Sequence, residues 1–305
     1  MKLKNAIKYL VHPNKLFLKL LHKKKMLNWL PDRIFLKKMY KLKMNQPLNL
    51  KNPKKFSEKI QWLKLYDRNP KYTSLVDKYA VKEIVANKIG HEHVIPTLGV
   101  WNSFDEIDFN SLPNQFVLKC THDSGGLVIV KNKALLNKDA ARKKINHSLK
   151  QNYYHVWREW PYKNVKPKII AKQFISENGH VPVDYKVYCF NGEPYKIMLC
   201  LDRDKDEPTK FYSFDFNWNL LRHNLRGKAA PENFSLPKPT SLKKMYEFSK
   251  IFSNNSAFMR VDFYEVNGNL YFGEMTFYPD SGFDSAILPE IDELYGSMLD
   301  LKGVR

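Results

Sequence analysis

The sequence AFMRVDFYEVNGNLYFGEMTFYPDSG, residues 257–282, decides the fold class. Its first part alternates apolar residues with charged or polar ones, which is typical of a half-buried strand. Asn267-Gly268 is a strong signal for a hairpin turn, and a second strand follows it. The segment is therefore predicted to form a β-hairpin with one apolar face. The opposite face carries Arg260, Asp262, Glu274 and Thr276.

The register of this hairpin decides whether its two acids lie together. A two-residue Asn-Gly loop pairs Val266 with Asn269. It then places Asp262 opposite Gly273, and the carboxylates of Asp262 and Glu274 fall on opposite faces. One extra residue, in the loop or in a bulge, brings both to the same face, and we predict that extra residue. Two adjacent carboxylates need a cation between them, and Mg²⁺ bound by carboxylates and substrate phosphates supplies it. A solvated sheet face with a surface Arg–Asp pair is the alternative for a lone hairpin.

A second informative stretch is QFVLKCTHDSGGLVIVK, residues 115–131, in which two β-branched strands flank a loop at residues 121–126. We call residues 121–126 the glycine loop. Gly125 and Gly126 allow backbone N–H groups to converge on an anion, and Ser124 adds a hydroxyl group. Lys119 lies on the strand that leads into the glycine loop, and its ammonium group is expected to meet the same anion, such as a phosphate, as a point charge. For His122, a role in stabilising the loop is favoured over metal binding.

Composition points to a globular protein with an anionic partner. The 305 residues are 43% hydrophobic and 14% aromatic, enough for a sizeable core. The formal charge is +20, and residues 1–50 hold twelve lysines and Arg33 against Asp32 alone. This segment contains no apolar run long enough for a signal peptide or a membrane span. It is expected either to lie on an anionic membrane surface as short amphipathic helices or to pack on the fold. No nucleic-acid motif accompanies the charge, so nucleic acid is not expected as a partner.

The cysteines indicate a reducing compartment. Cys120, Cys189 and Cys200 lie in apolar strand-like runs without metal or disulfide spacing. We expect core thiols, no disulfide and a cytoplasmic protein, with peripheral attachment to the inner face of the membrane as an open alternative.

In their order along residues 50–285, several motifs together resemble the ATP-grasp superfamily, and most closely its TupA-like branch of bacterial surface-polysaccharide genes. The motifs are NPKKFSEKIQWLKLYDRNP, DKYAVKEIV with IPTLGVW, FVLKCTHDSGG, DYKVYCFNG and RVDFYEVNGNLYFGEMTFYPDSG. RVDF followed by Glu-x-Thr also resembles the metal-binding end of D-alanine–D-alanine ligases.

The resemblance implies an α+β fold, the ATP-grasp fold, in which two α+β lobes grip ATP. The expected parts are a basic helical extension (residues 1–50), a small N-terminal α/β lobe (51–112), a lobe with the phosphate loop (113–172) and a lobe with the metal-binding hairpin (173–305). Carried over by position, the resemblance places the phosphates on Lys119, Ser124, Gly125 and Gly126. It places adenine on an inter-lobe hinge of Gln173, Phe174 and Ile175, and the ribose near Asp184. Mg²⁺ would be bound by Asp262, Glu274 and Thr276, the last at a position that is usually Asn.

The resemblance further implies a carboxylate–amine ligase. ATP would phosphorylate a carboxylate on a sugar or lipid-linked glycan, and an amine, such as that of an amino acid, would attack the acyl phosphate. Phosphoryl transfer depends on positioning and charge neutralisation, and Arg260, Lys186 and Arg203 are the expected catalytic cations. Two other classes stay open. One is a glycosyltransferase, using Asp202-Arg203-Asp204, or a kinase of the same pathway. The other is a non-catalytic membrane-associated ATP-binding adaptor.

Overall fold

The computed structural model describes residues 27–177, 179–203 and 208–304. The helices are α1 (Asp32–Met44), α2 (Phe56–Tyr66), α3 (Lys71–Val76), α4 (Ala80–Ile89), α5 (Lys138–Leu149), α6 (Tyr154–Trp157), α7 (Leu225–Lys228), α8 (Leu242–Ser253) and α9 (Pro289–Met298). The strands are β1 (Thr97–Trp101), β2 (Phe116–Cys120), β3 (Leu127–Val130), β4 (Ile169–Gln173), β5 (Asp184–Phe190), β6 (Glu193–Leu201), β7 (Lys210–Phe214), β8 (Leu220–Leu221), β9 (Phe258–Val266) and β10 (Asn269–Thr276).

The described strands form two antiparallel sheets. The first has the order β1-β4-β2-β3 and the second has the order β10-β9-β5-β6-β7-β8. β1 lies in the segment that the sequence assigns to a small N-terminal lobe, and it pairs with β4 in the sheet that carries the glycine loop. The chain passes from the first sheet to the second directly after Gln173, where the hinge was predicted. The strands up to Gln173 therefore form the first sheet and the later strands form the second, with a cleft between the two sheets.

The largest apolar core lies beneath the second sheet. Alternation along β9 sends Met259, Val261 and Phe263 into this core, where none of them is exposed. Met245 and Phe252 of α8 are also buried in it. A smaller core of eleven buried residues lies beneath the first sheet. One face of the second sheet packs on this core. The charged residues of the sheet therefore lie on its other face.

The described part of the N-terminal extension packs on the fold. α1 buries Phe35, Leu36, Met39 and Tyr40 in a third apolar cluster, which also contains Phe283 from the far end of the chain. Residues 27–50 therefore pack on the fold, which is one of the two alternatives that the sequence left open. Residues 1–26, on which most of the membrane prediction falls, lie outside the described residues.

Arg158 fixes the start of the described chain. Its side chain is 1% exposed, and its Nη2 atom donates to the carbonyl oxygens of Leu27 (2.9 Å), Asn28 (3.2 Å) and Leu30 (3.2 Å). Its Nε atom lies 3.3 Å from Oδ1 of Asp32. A buried guanidinium with these partners ties residues 27–32 to the body of the protein.

All three cysteines are free and buried, as predicted. Among the residues that the structure describes, no helix has the length and apolar character needed to cross a membrane.

Candidate functional site

A β-bulge aligns the two predicted metal ligands. Asn269 pairs with Val266 across the tight Asn-Gly turn, so the loop itself has two residues. The register then shifts between Phe272 and Glu274, and Glu274 lies directly opposite Asp262. Gly273 is the extra residue, which confirms the prediction and assigns it to a bulge rather than to a longer loop. A Cβ atom at Gly273 would lie 2.9 Å from the carbonyl oxygen of Asp262, so glycine lets the strands close at this point.

Asp262 is enclosed by two protein cations. Arg260 donates from Nε to Oδ1 and from Nη2 to Oδ2 of Asp262, both at 2.7 Å. The Nζ atom of Lys186, on the neighbouring strand β5, lies 2.5 Å from Oδ2 of Asp262 and 2.7 Å from Oδ2 of Asp184. Arg203 Nη1 donates to the same Asp184 oxygen at 3.2 Å. The structure thus brings together the three predicted catalytic cations and three of the predicted ligand residues.

Thr276, the third predicted metal ligand, lies beside Arg260. Its hydroxyl oxygen accepts a hydrogen bond from Arg260 Nη2 at 3.1 Å, and the same Nη2 lies 3.5 Å from Oε1 of Glu274. Among the described residues, no group of three or more His, Cys, Asp or Glu side chains is placed to hold a metal ion. Two oxygen ligands completed by phosphates still suit Mg²⁺. Asp262 and Glu274 provide them on adjacent strands.

Charges in the cleft set the protonation of these acids. Burial raises the pKa of Asp262 above its ordinary value, opposed by Arg260 and Lys186. Burial acts in the same direction on Glu274, but Lys78, Lys186 and neighbouring cations outweigh it and lower the pKa of Glu274 to about 2. Glu274 is therefore a carboxylate at neutral pH, as a metal or cation ligand must be.

Lysines of the first sheet face the carboxylates across the cleft. Lys119 lies on β2 and Lys172 on β4, and the register pairs Val117 with Lys172 and Lys119 with Ile170, so both lysines are on one sheet face. Burial lowers the pKa of Lys119, and Glu274 opposes this change. Burial also lowers the pKa of Lys172 well below its ordinary value, and Lys119 adds to the effect. Two like charges this close together on one sheet face, Lys172 buried and Lys119 half-buried, indicate a site for an anion.

A narrow cavity between the sheets contains the predicted hinge. It is lined by Ile95, Val117, Lys119, Leu127, Ile129, Lys172, Gln173, Phe174, Ile175, Val181, Pro182, Arg203 and Tyr264. The apolar walls and the exposed backbone edge after β4 suit a planar aromatic ring. Asp184, which binds Arg203, has an Oδ1 atom that is buried without a hydrogen-bond partner. A hydroxyl donor from a ligand would satisfy this atom.

The glycine loop uses its two glycines differently. The N–H of Gly126 donates to the carboxylate of Asp123 (3.1 and 3.2 Å), so in this conformation Gly126 does not offer it to an anion, contrary to our expectation. A Cβ at Gly126 would lie 2.5 Å from the sulfur of Cys120, whereas one at Gly125 would meet only Asp123 at 3.7 Å. Gly126 is buried and Gly125 is exposed. Close packing therefore explains Gly126, and Gly125 is the glycine open to a ligand.

Two further residues fix the glycine loop. His122 Nε2 is 3.2 Å from the carbonyl oxygen of Ser148 and 3.0 Å from that of Gln151, which confirms its loop-stabilising role. Ser124, predicted to bind phosphate, is exposed and donates to the hydroxyl of Tyr153 at 3.1 Å.

Lys78, which was not predicted from the sequence, connects the glycine loop to the hairpin. Its ammonium group donates a hydrogen bond to the carbonyl oxygen of Asp123. Among the neighbouring cations, it lowers the pKa of Glu274 the most. Nothing in its local sequence, at the start of an amphipathic helix, distinguishes it from a surface lysine. Lys172 was also missed, although a lysine inside the apolar run KIIAKQFI was a usable signal.

A second, much larger cavity of about 1200 Å³ opens beside the carboxylates. Five aromatic residues line it (Tyr153, Trp157, Phe211, Tyr212, Phe283), with four cations (Lys43, Lys186, Arg226, Arg260) and two acids (Asp280, Asp284). Lys186 and Arg260 belong both to this lining and to the network around Asp262. A molecule in the large cavity would therefore reach two cations of this network, which continues from Lys186 through Asp184 to Arg203 in the lining of the narrow cavity.

The turn Pro279–Gly282 shapes the wall of the large cavity. Its last three residues have positive φ angles of 46°, 54° and 67°. α2 holds it in place, since Gln61 donates to the carbonyl oxygens of Ser281 (2.9 Å) and Gly282 (3.0 Å), and Lys64 donates to that of Ser281 (2.6 Å). Left-handed backbone at non-glycine residues is unfavourable and persists where surrounding contacts determine it, often at functional sites.

The Asp-x-Asp alternative receives no support from the described residues. Asp202 is 2.9 Å from Lys210, Arg203 binds Asp184, and Asp204 lies outside the described residues.

The structure has two lobes, a cleft lined by the predicted hinge residues, and a hairpin whose carboxylates face lysines of the first sheet. These features define the ATP-grasp class of fold. The chain belongs to the TupA-like ATP-grasp family, whose family model matches residues 58–300. The family and the α+β fold class predicted from the sequence are thereby confirmed.

Several solved structures are similar to the chain at low sequence identity. One is the D-alanine–D-alanine ligase of Bacillus anthracis complexed with ATP (15% identity, 75% of this chain and 63% of that chain, TM-score 0.44). Another is the ATP-grasp ligase PsnB complexed with a phosphomimetic precursor variant, Mg and ADP (11%, 80% and 65%, TM-score 0.43). A third is a RimK domain ATP-grasp protein of Sphaerobacter thermophilus (14%, 75% and 69%, TM-score 0.39). The present chain thus spans less than two thirds of the Bacillus ligase. No curated protein matches the sequence.

Proposed function

We propose that the protein is an ATP- and Mg²⁺-dependent carboxylate–amine ligase of bacterial surface-polysaccharide biosynthesis. It forms an amide between the amine of an amino acid or similar donor and a carboxylate on a sugar or lipid-linked glycan, through an acyl phosphate. The observation that carries the proposal is the position of Lys186 and Arg260. They line the large cavity, and Lys186 is joined through Asp184 to Arg203, which lines the narrow cavity containing the hinge residues.

The narrow cavity would hold ATP. Gln173, Phe174 and Ile175 would contact adenine, and the unsatisfied oxygen of Asp184 would accept a hydrogen bond from the ribose. Lys119 would face the phosphates, together with Ser124 and Gly125 of the glycine loop and with Lys78 and Lys172, which the structure adds. Buried, desolvated lysines attract an anion more strongly than exposed ones.

Mg²⁺ would be bound by Asp262 and Glu274, and it supplies neutralisation of the phosphate charge that develops during transfer. Thr276 would assist indirectly by orienting Arg260. Arg260 and Lys186 would direct the acceptor carboxylate toward the terminal phosphate and stabilise the charge on the transferring group. Arg203 would act through Asp184. Closing the cleft would exclude water from the acyl phosphate.

The large cavity would admit the acceptor. Its volume of about 1200 Å³ lies at or above the upper end of small-molecule pockets, which suits a glycan chain better than a free amino acid. Its five aromatic residues offer flat apolar surfaces, and its four cations offer partners for an acidic sugar.

ADP release from purified protein tests the ligase proposal directly. The assay would combine ATP, Mg²⁺, candidate acidic sugars and candidate amino acids, with amide formation followed by mass spectrometry. Asp262→Ala and Glu274→Ala are expected to abolish ADP release. Glu193→Ala is the matched control, because Glu193 is an exposed acid of the same sheet paired only with Lys250 in the described contacts. ADP release that survives both site variants would contradict the proposal.

The same preparation separates the rival classes. A kinase would leave phosphate on the acceptor, visible by ³¹P NMR, and a ligase would release it. A glycosyltransferase would be stabilised against heating by UDP rather than ATP; a ligand at 100 times its Kd stabilises by about 2.7 kcal/mol. Nucleotide binding without turnover, together with vesicle binding, would indicate an adaptor.

We also propose that the protein works in the cytoplasm at an anionic membrane surface. The outer face of α1 exposes Arg33, Lys37, Lys38 and Lys41. Beside it, Trp29 is 78% and Ile34 is 46% exposed. Basic side chains attract anionic lipids, and Trp favours the interface.

Vesicle sedimentation tests the membrane proposal. Full-length protein should bind phosphatidylglycerol vesicles at low salt and release at high salt. Replacing Lys37 and Lys41 by Glu should weaken binding. The same charge change at Lys143 and Lys144, which are exposed on α5, should weaken it much less. Equal losses from both pairs would indicate net charge rather than this surface.

A further inference from the structure

The carboxylate that should bind the metal already has three of its roughly four acceptor positions occupied by protein cations. Asp262 is buried, and its two oxygens accept three charge-assisted hydrogen bonds from Arg260 and Lys186 at 2.5–2.7 Å. Such short contacts between opposite charges are among the strongest polar interactions in proteins. A divalent cation can reach these oxygens only if at least one of the two side chains moves away.

The network around Asp262 is also balanced in charge. The acids Asp184, Asp262 and Glu274 are matched by the cations Lys186, Arg203 and Arg260, each within 3.5 Å of at least one of these acids. A divalent cation entering this network would create an excess of positive charge.

The opposite wall makes that excess more unfavourable. Lys78 and Lys119 both act on Glu274, and Lys172 lies beside Lys119 on the same sheet face. A free cation would therefore enter a site that is already surrounded by ammonium groups. A nucleotide reverses the balance, because its phosphates bring about three to four negative charges and many acceptor oxygens for lysine and arginine.

We propose that Lys186 and Arg260 close the metal site against free divalent cations, and that the phosphates of a bound nucleotide open it by taking these two side chains as their own partners. Metal and nucleotide then bind together, each raising the affinity for the other. The same movement carries the two cations from the resting carboxylate to the reacting phosphate. This inference rests on the proposed function in one respect, namely that a nucleotide and a divalent cation share this cleft.

Mn²⁺ binding followed by electron paramagnetic resonance tests the inference on the full-length protein. Mn²⁺ has the charge and oxygen preference of Mg²⁺, and free and bound ions give different signals. Wild-type protein without nucleotide is expected to bind Mn²⁺ weakly, and ADP is expected to tighten Mn²⁺ binding to the protein at least tenfold. Calorimetry should show the reciprocal tightening of ADP by Mg²⁺.

Lys186→Met isolates the closing role. It frees Oδ2 atoms of both Asp184 and Asp262, so Mn²⁺ affinity without nucleotide should rise at least tenfold. Lys196→Met is the matched control: it removes a buried lysine from the adjacent strand β6, where the ammonium contacts Ser213 at 3.4 Å, and Mn²⁺ affinity should not change.

Each result decides a different point. Wild-type protein that binds Mn²⁺ equally well with and without ADP overturns the inference, as does a Lys186→Met variant that folds by circular dichroism and gains no affinity. If that variant does not fold, the comparison with and without ADP in the wild type still decides. Failure of ADP to bind at all contradicts the proposed function instead, and the Lys186→Met measurement without nucleotide still tests the closing role.

Discussion

Substitution by alanine should have different effects on stability at the two glycines of the glycine loop. It should destabilise the protein at Gly126 and leave its stability nearly unchanged at Gly125. In Gly126→Ala, the new Cβ would lie 2.5 Å from Sγ and 2.7 Å from Cβ of Cys120, and 2.7 Å from Oγ of Ser148. All three atoms belong to buried residues, so a neighbour or the loop must shift. Overpacking of this kind costs about 1–3 kcal/mol. In Gly125→Ala, the nearest atom is 3.7 Å away, an ordinary contact, and the loss should stay within about 0.5 kcal/mol.

Differential scanning fluorimetry and urea unfolding would measure the difference. For domains of about 150–250 residues, 1 kcal/mol corresponds to a change in Tm of about 2–4 °C. On this scale Gly126→Ala should lower Tm by about 2–12 °C and Gly125→Ala by less than about 2 °C. Binding of ADP should show the reverse pattern, with Gly125→Ala weakening it in a stable protein. A Gly126→Ala protein as stable as wild type would refute the assignment of Gly126 to packing.

Three further substitutions test other parts of the structure. Arg158→Leu removes a buried guanidinium that donates to three carbonyl groups and pairs with Asp32, and it should lower the unfolding free energy by about 3–5 kcal/mol, with Arg158→Lys losing less. Burial lowers the pKa of Lys196 to about 7 from an ordinary 10.5. The unfolded chain therefore binds more protons between these values, and stability should rise with pH across that window by up to about 1.4 kcal/mol per pH unit. Lys196→Met should remove this slope when urea unfolding is compared at pH 7 and pH 9. Gly296→Ala would place a Cβ 1.9 Å from the carbonyl oxygen of Lys54 and should lower Tm clearly. Gly303→Ala, which meets nothing within 4 Å, should not.

The hairpin shows which structural features can be predicted from local sequence. Alternation, the Asn-Gly turn and the need to place Asp262 beside Glu274 together required one extra residue, and the bulge at Gly273 supplies it. The same pattern could not choose between a bulge and a longer loop. That choice depends on how closely the strands approach, which the absence of a Cβ at Gly273 permits.

Contacts between distant segments were the part that sequence could not reveal. Arg260 is the partner of Thr276 because the shifted register places the two residues directly opposite each other, and the same guanidinium also reaches Asp262. The role of Lys78 requires the glycine loop and the start of α4 to meet, although 45 residues separate Lys78 from Asp123. Local periodicity predicts which face a side chain occupies, but a partner on another element depends on the packing of the lobes.

The burial of all three cysteines has a practical consequence. Thiol reagents react with exposed thiolates, so the native chain is already a suitable background for attaching dyes at chosen positions. Cysteines introduced at Leu135, which is 81% exposed beside the first sheet, and at Ile251, which is 42% exposed on α8, would carry a fluorescent donor and acceptor on opposite lobes. The efficiency of energy transfer between them would follow the opening and closing of the cleft in real time.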